Sequence, residues 1–421
     1  MIECVLGIDV GTSGVRVAAR SKTGTVAAVT SHAMDLPIVA QGRVTQDPAL
    51  WWDAVVAAVR KLDLSNLHVR AIAIDGTSGT VLPIDGKGQP TAWASLYNDR
   101  GDDTFCKRIA EVAPPETAAH GSTSALARVL ALQDKAARIL HQADWLLGKF
   151  CGCFDVTDEN NALKTGYDPV ARQWPSWLAE VGADAAKLPA VFPVGTRVGQ
   201  ILPDVARTLG LPHDVALVTG TTDGCAGFLA SGATKVGDGV TSLGTTLTLK
   251  LLSATPVFAP AYGIYSHRMR DRWLAGGASN SGGAVLRQFF NNDDIERLST
   301  LMTPQEATGL NYYPLPGVGE RFPTTDPDMA PQLSPRPVLD HVFLQGLFEG
   351  IAGIEALGYR RLAELGATPL QSIRSAGGGA ANDAWTTIRL RHLNVVMADT
   401  DSTIAAMGTA RLAWWGLGHD A

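Results

Sequence analysis

The sequence predicts an α/β protein made of two related domains with a cleft between them, and three observations predict it. Apolar strands alternate with amphipathic helices along 421 residues, 46% of them hydrophobic and 18% charged. That is enough chain for two cores of about 200 residues each. The stretch "VLGIDVGTSGVRVAA", a strand, a Gly/Thr turn and a strand, returns in form at Gly239 as "GVTSLGTTLTLKLL". The 44 glycines gather in short turns at strand ends and follow no collagen-like period.

The elements follow in order. Cys4 to Ile8 is a buried strand, "VRVAAR" a second, and Val26 to Thr30 a third, with "TGT" as the tight turn between the last two. In "DPALWWDAVVAAVRKL", Asp47 caps a helix with Pro48 in its first turn and apolar residues at helical spacing. "VRAIAID" is a strand ending at Asp75, and "GTSG" follows it. The chain then reads as mainly helical to about residue 150, polar and irregular through "DVTDENNALKTGYDPVARQWPSWL", and helical again in "PDVARTLGL". "DVALVTGTTDGCAGFLASGA" is a strand, a polar turn with Asp223, and a small-residue helix, which closes a first domain of residues 1–232. The second, 233–421, holds "WLAGGASNSGGAVLRQFF", a Pro-rich loop and a long helix from Val338 to Leu365. It continues through "SIRSAGGGAANDAW" to a closing strand, loop and helix.

Composition excludes several classes. The formal net charge is -6 and no Lys/Arg run occurs, so a nucleic-acid partner is not expected. Five scattered cysteines, with only Cys151 and Cys153 paired as CxC, lack zinc spacing and read as reduced thiols. No stretch of about 18 apolar residues predicts a membrane span. The N-terminal run lacks the basic start of a signal peptide. A cytoplasmic protein is expected, or a stromal one in a plastid, though no transit peptide is seen.

Turns of Gly, Thr and Ser close strands at Gly11–Gly14, at Gly76–Gly79, near Gly244 and near Gly378. Such turns expose backbone N–H groups and hydroxyls, the groups that cradle phosphate oxygens. One "GTSG" alone reads as a hairpin turn. Two such turns in each half fit a nucleotide held between domains. Neither GxxxxGK[ST] nor a regular GxGxxG occurs, which disfavours P-loop and nicotinamide enzymes. Asp9, Asp75 and Asp223 each end an apolar strand beside such a turn. Asp9 suits a metal-bound phosphate, and Asp223 suits a base that takes a hydroxyl proton. Equally, Asp223 could simply cap its helix and Asp75 could simply shape its turn. Trp51, Trp52, Trp414 and Trp415 read as core, and His267 and His341 as structural.

These segments together resemble the FGGY family of carbohydrate kinases. "GIDVGTSGVR" looks like its first phosphate motif and "TGTTDGCAGFLASGA" like the segment bearing the catalytic aspartate. "TSLGTTLTLKL" looks like the second phosphate motif, and "AGGGAANDAW" like the adenosine motif. "IAIDGTSGTVL", "QADWL" and "GLNYYPLPGVGERFP" resemble the short pentulose kinases of cyanobacteria and plants, described as D-ribulose kinases or xylulose-kinase-like proteins. "LYNDR", with Tyr97 to Arg100, departs from the wider family's W-x-D-x-R sugar segment.

The resemblance implies the two-domain ATPase fold of actin and hexokinase, with duplicated ribonuclease H-like domains. It implies ATP and Mg²⁺ as cofactors and a small sugar as substrate, most readily D-ribulose phosphorylated to D-ribulose 5-phosphate, in a monomer or weak homodimer. Asp223 would be the general base, and Asp9 would sit near Mg²⁺, directly or through water. Thr12 and Ser13 would meet the γ-phosphate, with Gly11 and Gly14 letting the backbone approach. Gly244 and Thr245 would hold the other phosphates, and Gly283 would line the nucleotide cleft. Gly378 and Gly379 would pass the ribose and adenine, Asn382 would hydrogen-bond, and Trp385 would stack on the purine unless it is core. Ser78 would bind sugar hydroxyls beside Asp75, with Asp9, Ser13, Gly14 and Asp223 around the same sugar. D-Xylulose is the alternative substrate, and a non-catalytic, actin-like ATP-binding module the alternative class.

Overall fold

The computed structural model describes residues 1–420. The chain forms two compact units, the first from residues 1–230, His267–Arg270 and the segment beginning at Ile404, the second from Ser231–Ser266 and Asp271–Thr403.

In the first unit the main sheet runs in the order Arg197–Gln200, Ala216–Thr222, Leu67–Gly76, Ile2–Val10, Gly14–Ser21, Val26–Ala33. The three N-terminal strands form the expected antiparallel meander, joined at Gly11–Gly14 and at the 23–25 turn. Leu67–Gly76 pairs parallel with Ile2–Val10 on one side and with Ala216–Thr222 on the other. The helix Pro48–Arg60 buries Trp51, Ala54, Val55, Ala58 and Val59, the stripe expected of a 3.6-residue period, in the same core as Leu6, Ile8, Val15 and Val17. Asp47 caps it by accepting from the Ala49 N–H at 2.9 Å.

A second sheet runs in the order Ile38–Ala40, Arg43–Gln46, Ala94–Ser95, Val81–Ile84, Arg138–His141, and its last three strands fall in the stretch read as mainly helical. Strands of two to four residues are too short to show alternation, so tertiary pairing defines them.

The second unit repeats the order. Arg272–Ser279, Leu247–Ser253 and Asp238–Leu243 form an antiparallel meander, and Ser372–Ala376 and Val396–Met397 extend it in parallel. The helix Asp340–Glu364 buries Phe343, Leu347, Phe348 and Ile351. Glu355 and Arg389 are both fully buried and joined by two hydrogen bonds of 2.7 Å. The Thr241 hydroxyl donates to the same carboxylate at 2.5 Å, and Arg389 donates to Ser375 Oγ at 2.6 Å. This pair therefore ties the helix Asp383–Leu393 to the strands beside it, and each buried charge has its hydrogen bonds met.

The final helix, Ala405–Gly416, packs with the first unit, while the chain just before it, to Thr403, lies in the second. Its small residues allow backbone-to-backbone contact. A Cβ on Gly7 would lie 1.9 Å from the Ala406 carbonyl oxygen, and one on Gly408 would lie 1.9 Å from that of Ala226. Only glycine permits that approach. Among the described residues, no helix is long and apolar enough to cross a membrane.

Candidate active site

Three parallel strands bring three acids to one edge of the first sheet. Asp9 and Asp75 are paired in register on neighbouring strands, and Asp75 is opposite Thr221 on the third. Asp223 follows that third strand by one residue and opens the helix Asp223–Ala230. The C-terminal edge of parallel strands is where α/β proteins bind ligands.

Their environments differ. Asp223 is exposed, and its Oδ1 accepts from the Gly224 N–H at 2.7 Å. Asp9 is 8% exposed, with Arg16 at 3.8 Å. Burial pushes the Asp9 carboxyl up from the usual carboxylate range. A hydrogen bond with Asp75 opposes that, the charge of Asp223 adds to it, and Arg16 opposes it again. Asp75 is fully buried, and burial, followed by the charge of Asp9, holds its carboxyl well above the usual range. The Thr409 hydroxyl donates to Asp75 Oδ2. Asp75 Oδ1 is buried with no hydrogen-bond partner among the described residues, and the charge of Asp9 on the neighbouring strand adds to the cost of ionising it.

The turn after Asp9 is closed by Gly11 N–H donating to the Gly14 carbonyl at 3.0 Å, with Thr12 half-buried and Ser13 exposed. Gly14 has a packing reason for being glycine, since a Cβ there would lie 2.8 Å from the His32 carbonyl oxygen. Ser78 Oγ, in the turn after Asp75, is buried and has no hydrogen-bond partner among the described residues. Asp99, within "LYNDR", is fully buried and paired. It accepts from Arg43 Nε and Nη2 at 3.0 and 2.8 Å and from the Val44 N–H at 2.8 Å.

The second unit contains a cleft of about 860 Å³ that gathers Gly244, Thr245, Gly283, Gly378, Gly379, Asn382 and Trp385. Gly283 N–H donates to the Gly244 carbonyl at 2.8 Å, and a Cβ on Gly283 would sit 2.8 Å from that oxygen. Glycine is thus required there by the close passage of two turns. The helix it heads is a single turn, Gly283–Leu286. Gly378 has open space at its Cβ position. Arg287, an exposed cleft residue that sequence reasoning missed, donates to Thr245 Oγ1 at 2.9 Å. The available signal was a lone cation four residues after Gly283.

Two nucleotide contacts expected from the resemblance are otherwise engaged. Asn382 caps the helix Asp383–Leu393: its Oδ1 accepts from the Trp385 N–H at 2.9 Å and its Nδ2 donates to Ser299 Oγ at 2.8 Å. Trp385 is 3% exposed and stacks parallel on Phe348 at 4.6 Å, with Gly379 close against its ring. It lines the cleft from this buried position.

Among the described residues, no three His, Cys, Asp or Glu side chains form a metal cage. The acids still suit Mg²⁺, which keeps several waters and takes one or two carboxylates together with substrate phosphates. The charge of Asp223 raises the cost of ionising Asp9, and a divalent cation would relieve it.

The model of the FGGY family of carbohydrate kinases matches its N-terminal domain over residues 4–124 and its C-terminal domain over 239–417. A xylulose kinase of Bacillus subtilis is 27% identical, spanning 99% of this chain and 89% of its own length. One from Staphylococcus epidermidis is 25% identical over 99% of this chain and 88% of its own. The crystal structure of xylulose kinase from Rhodospirillum rubrum superposes with a TM-score of 0.87 at 22% identity, covering 99% of this chain and 91% of that one. This likeness confirms the two-domain sugar kinase fold.

Proposed function

We propose that this chain, which belongs to the FGGY family of carbohydrate kinases, transfers the γ-phosphoryl group of ATP to a terminal hydroxyl of a pentulose, most readily O5. The observation that carries this reading is the gathering of Asp9, Asp75 and Asp223 on one strand edge beside the unpaired Ser78 hydroxyl.

In this reading Asp223 is the general base. It is exposed, so it can meet a substrate hydroxyl, and the Gly224 N–H bonded to its Oδ1 holds the carboxylate in place. Asp9 would hold Mg²⁺ directly or through water, and the ion would neutralise charge on the β- and γ-phosphate oxygens. Thr12 and Ser13, on the Gly11–Gly14 turn, would bind the γ-phosphate. Gly244, Thr245 and Arg287 would hold the other phosphates, with Gly378 and Gly379 along the nucleoside. Ser78 and Asp75 would orient the sugar.

D-Xylulose is the favoured sugar, because the relatives matched along nearly the whole chain are named xylulose kinases. D-Ribulose is the second reading, carried by the "IAIDGTSGTVL" turn and its resemblance to the short ribulose kinases. A coupled assay of kcat/KM with D-xylulose, D-ribulose, glycerol, gluconate and no sugar separates these. Highest kcat/KM for D-xylulose supports the first reading, and highest for D-ribulose the second. ATP binding with no sugar turned over overturns both and makes the chain an ATP-binding module.

A further inference from the structure

The four residues Thr77-Ser78-Gly79-Thr80 form a tight turn. The Thr80 N–H donates to the Thr77 carbonyl at 3.2 Å, and Gly79 has φ +87°. Glycine with positive φ at the third position is the mark of a type II turn, with Ser78 at the corner. Such a corner is held only as well as its two ends.

One residue holds both ends. Gln142, 1% exposed, opens the helix Gln142–Cys151. Its side-chain Oε1 accepts from the Thr77 N–H at 2.9 Å and from the Thr77 hydroxyl at 3.0 Å. Its backbone N–H donates to the Thr80 carbonyl at 3.2 Å. The amide orientation follows from chemistry, because a backbone N–H can only donate and must face Oε1. That fixes the direction of a buried chain of hydrogen bonds. The Thr77 hydroxyl gives its proton to Gln142, so it must accept from Thr80 Oγ1, 2.6 Å away. Thr80 Oγ1 in turn accepts from the Tyr97 N–H at 3.0 Å. The "LYNDR" segment is thus tied to the Ser78 turn at Thr80, and the turn is anchored at Thr77 by the Gln142 amide oxygen. Gly76 makes room for it, since a Cβ there would lie 2.9 Å from that oxygen.

We infer that Gln142 is a positioning residue for the sugar: it sets the place of Ser78, and of Tyr97 through the threonine chain, and so sets sugar affinity and choice without touching the reacting atoms. This rests on the reading above, in which the Ser78 turn faces the sugar.

Gln142→Met keeps the side chain's size and removes the acceptor. Losing this anchor raises KM for the preferred pentulose about tenfold, the equivalent of about one buried hydrogen bond, and leaves KM for ATP unchanged. Gln142→Glu restores an acceptor oxygen and recovers most of the sugar affinity. Thr77→Val breaks the chain at its middle, reproduces the rise, and adds little on top of Gln142→Met. It also stands in if Gln142→Met does not fold. A Gln142→Met enzyme with unchanged sugar KM, or with sugar and ATP KM raised alike, overturns the assignment, as does failure of Gln142→Glu to recover affinity. Ser78→Ala separates the two levels. If it leaves sugar KM unchanged, the turn does not face the sugar and the underlying reading fails. If it raises sugar KM while Gln142→Met and Thr77→Val do not, only the role of Gln142 fails.

Discussion

The hydroxyl of Thr409 donates to the carboxyl of Asp75, which precedes it by 334 residues. Both side chains are fully buried, and the bond joins the final helix to the strand edge that carries the acids. Thr409→Val keeps the shape and leaves a buried carboxyl oxygen unmatched, so it should cost about 1–3 kcal/mol of stability. Urea unfolding measures this, and Thr409→Ser should recover most of it. Sugar turnover should fall in Thr409→Val, because Asp75 lies in register beside Asp9 on the neighbouring strand.

Asp223→Ala should lower sugar phosphorylation by at least about a hundredfold, the scale of a lost general base, with ADP binding by calorimetry unchanged. Full turnover in this variant would remove Asp223 from that role. Asp9→Asn should lower turnover and raise the Mg²⁺ concentration needed for half-maximal rate.

Arg287 is the cation beside Thr245 in the cleft of the second unit. Arg287→Met should raise KM for ATP several-fold and leave KM for the sugar unchanged. Steady-state kinetics with each substrate varied in turn checks the split.

His141 is buried, and burial, with the Arg128 charge behind it, pushes its imidazole down to about 3. A depressed value means the folded protein refuses a proton that the unfolded chain accepts. Its share of stability is intact above the unfolded value near 6.5 and is lost as pH falls toward 3. By pH 5 the loss is about 2 kcal/mol. His141→Leu should therefore show a shallower fall in Tm between pH 7 and pH 5 than the parent protein.

Local pattern carried much of the fold. The N-terminal meander, the Pro48–Arg60 helix and the Asp340–Glu364 helix lie where alternation, a cap and helical spacing put them. The strand–turn echo at Gly239 marked a real repeat of strand order in the second unit. The small second sheet escaped, because strands such as Ala94–Ser95 are defined only by their partners. In the candidate site, acids at strand ends were legible as Asp9, Asp75 and Asp223. Their different exposure was not, since it depends on which helix covers which strand.

Sequence by itself determined the residue types at each strand end and, through the order of the motifs, the family. Tertiary structure decided which of those residues are available. Trp385 and Asn382 carry the chemistry of nucleotide contacts, but Phe348, Ser299 and the helix N-terminus occupy them. Asp75 looks like a second copy of Asp9, yet the final helix buries it and supplies Thr409. Gln142 opens the "QADWL" stretch, to which the sequence assigns no role of its own, and it gains one because its helix begins beside the turn at Thr77. The physical reason is the same in each case. Chemical capacity belongs to a side chain, but burial and hydrogen-bond partners come from segments distant in the chain, and these decide what that capacity is spent on.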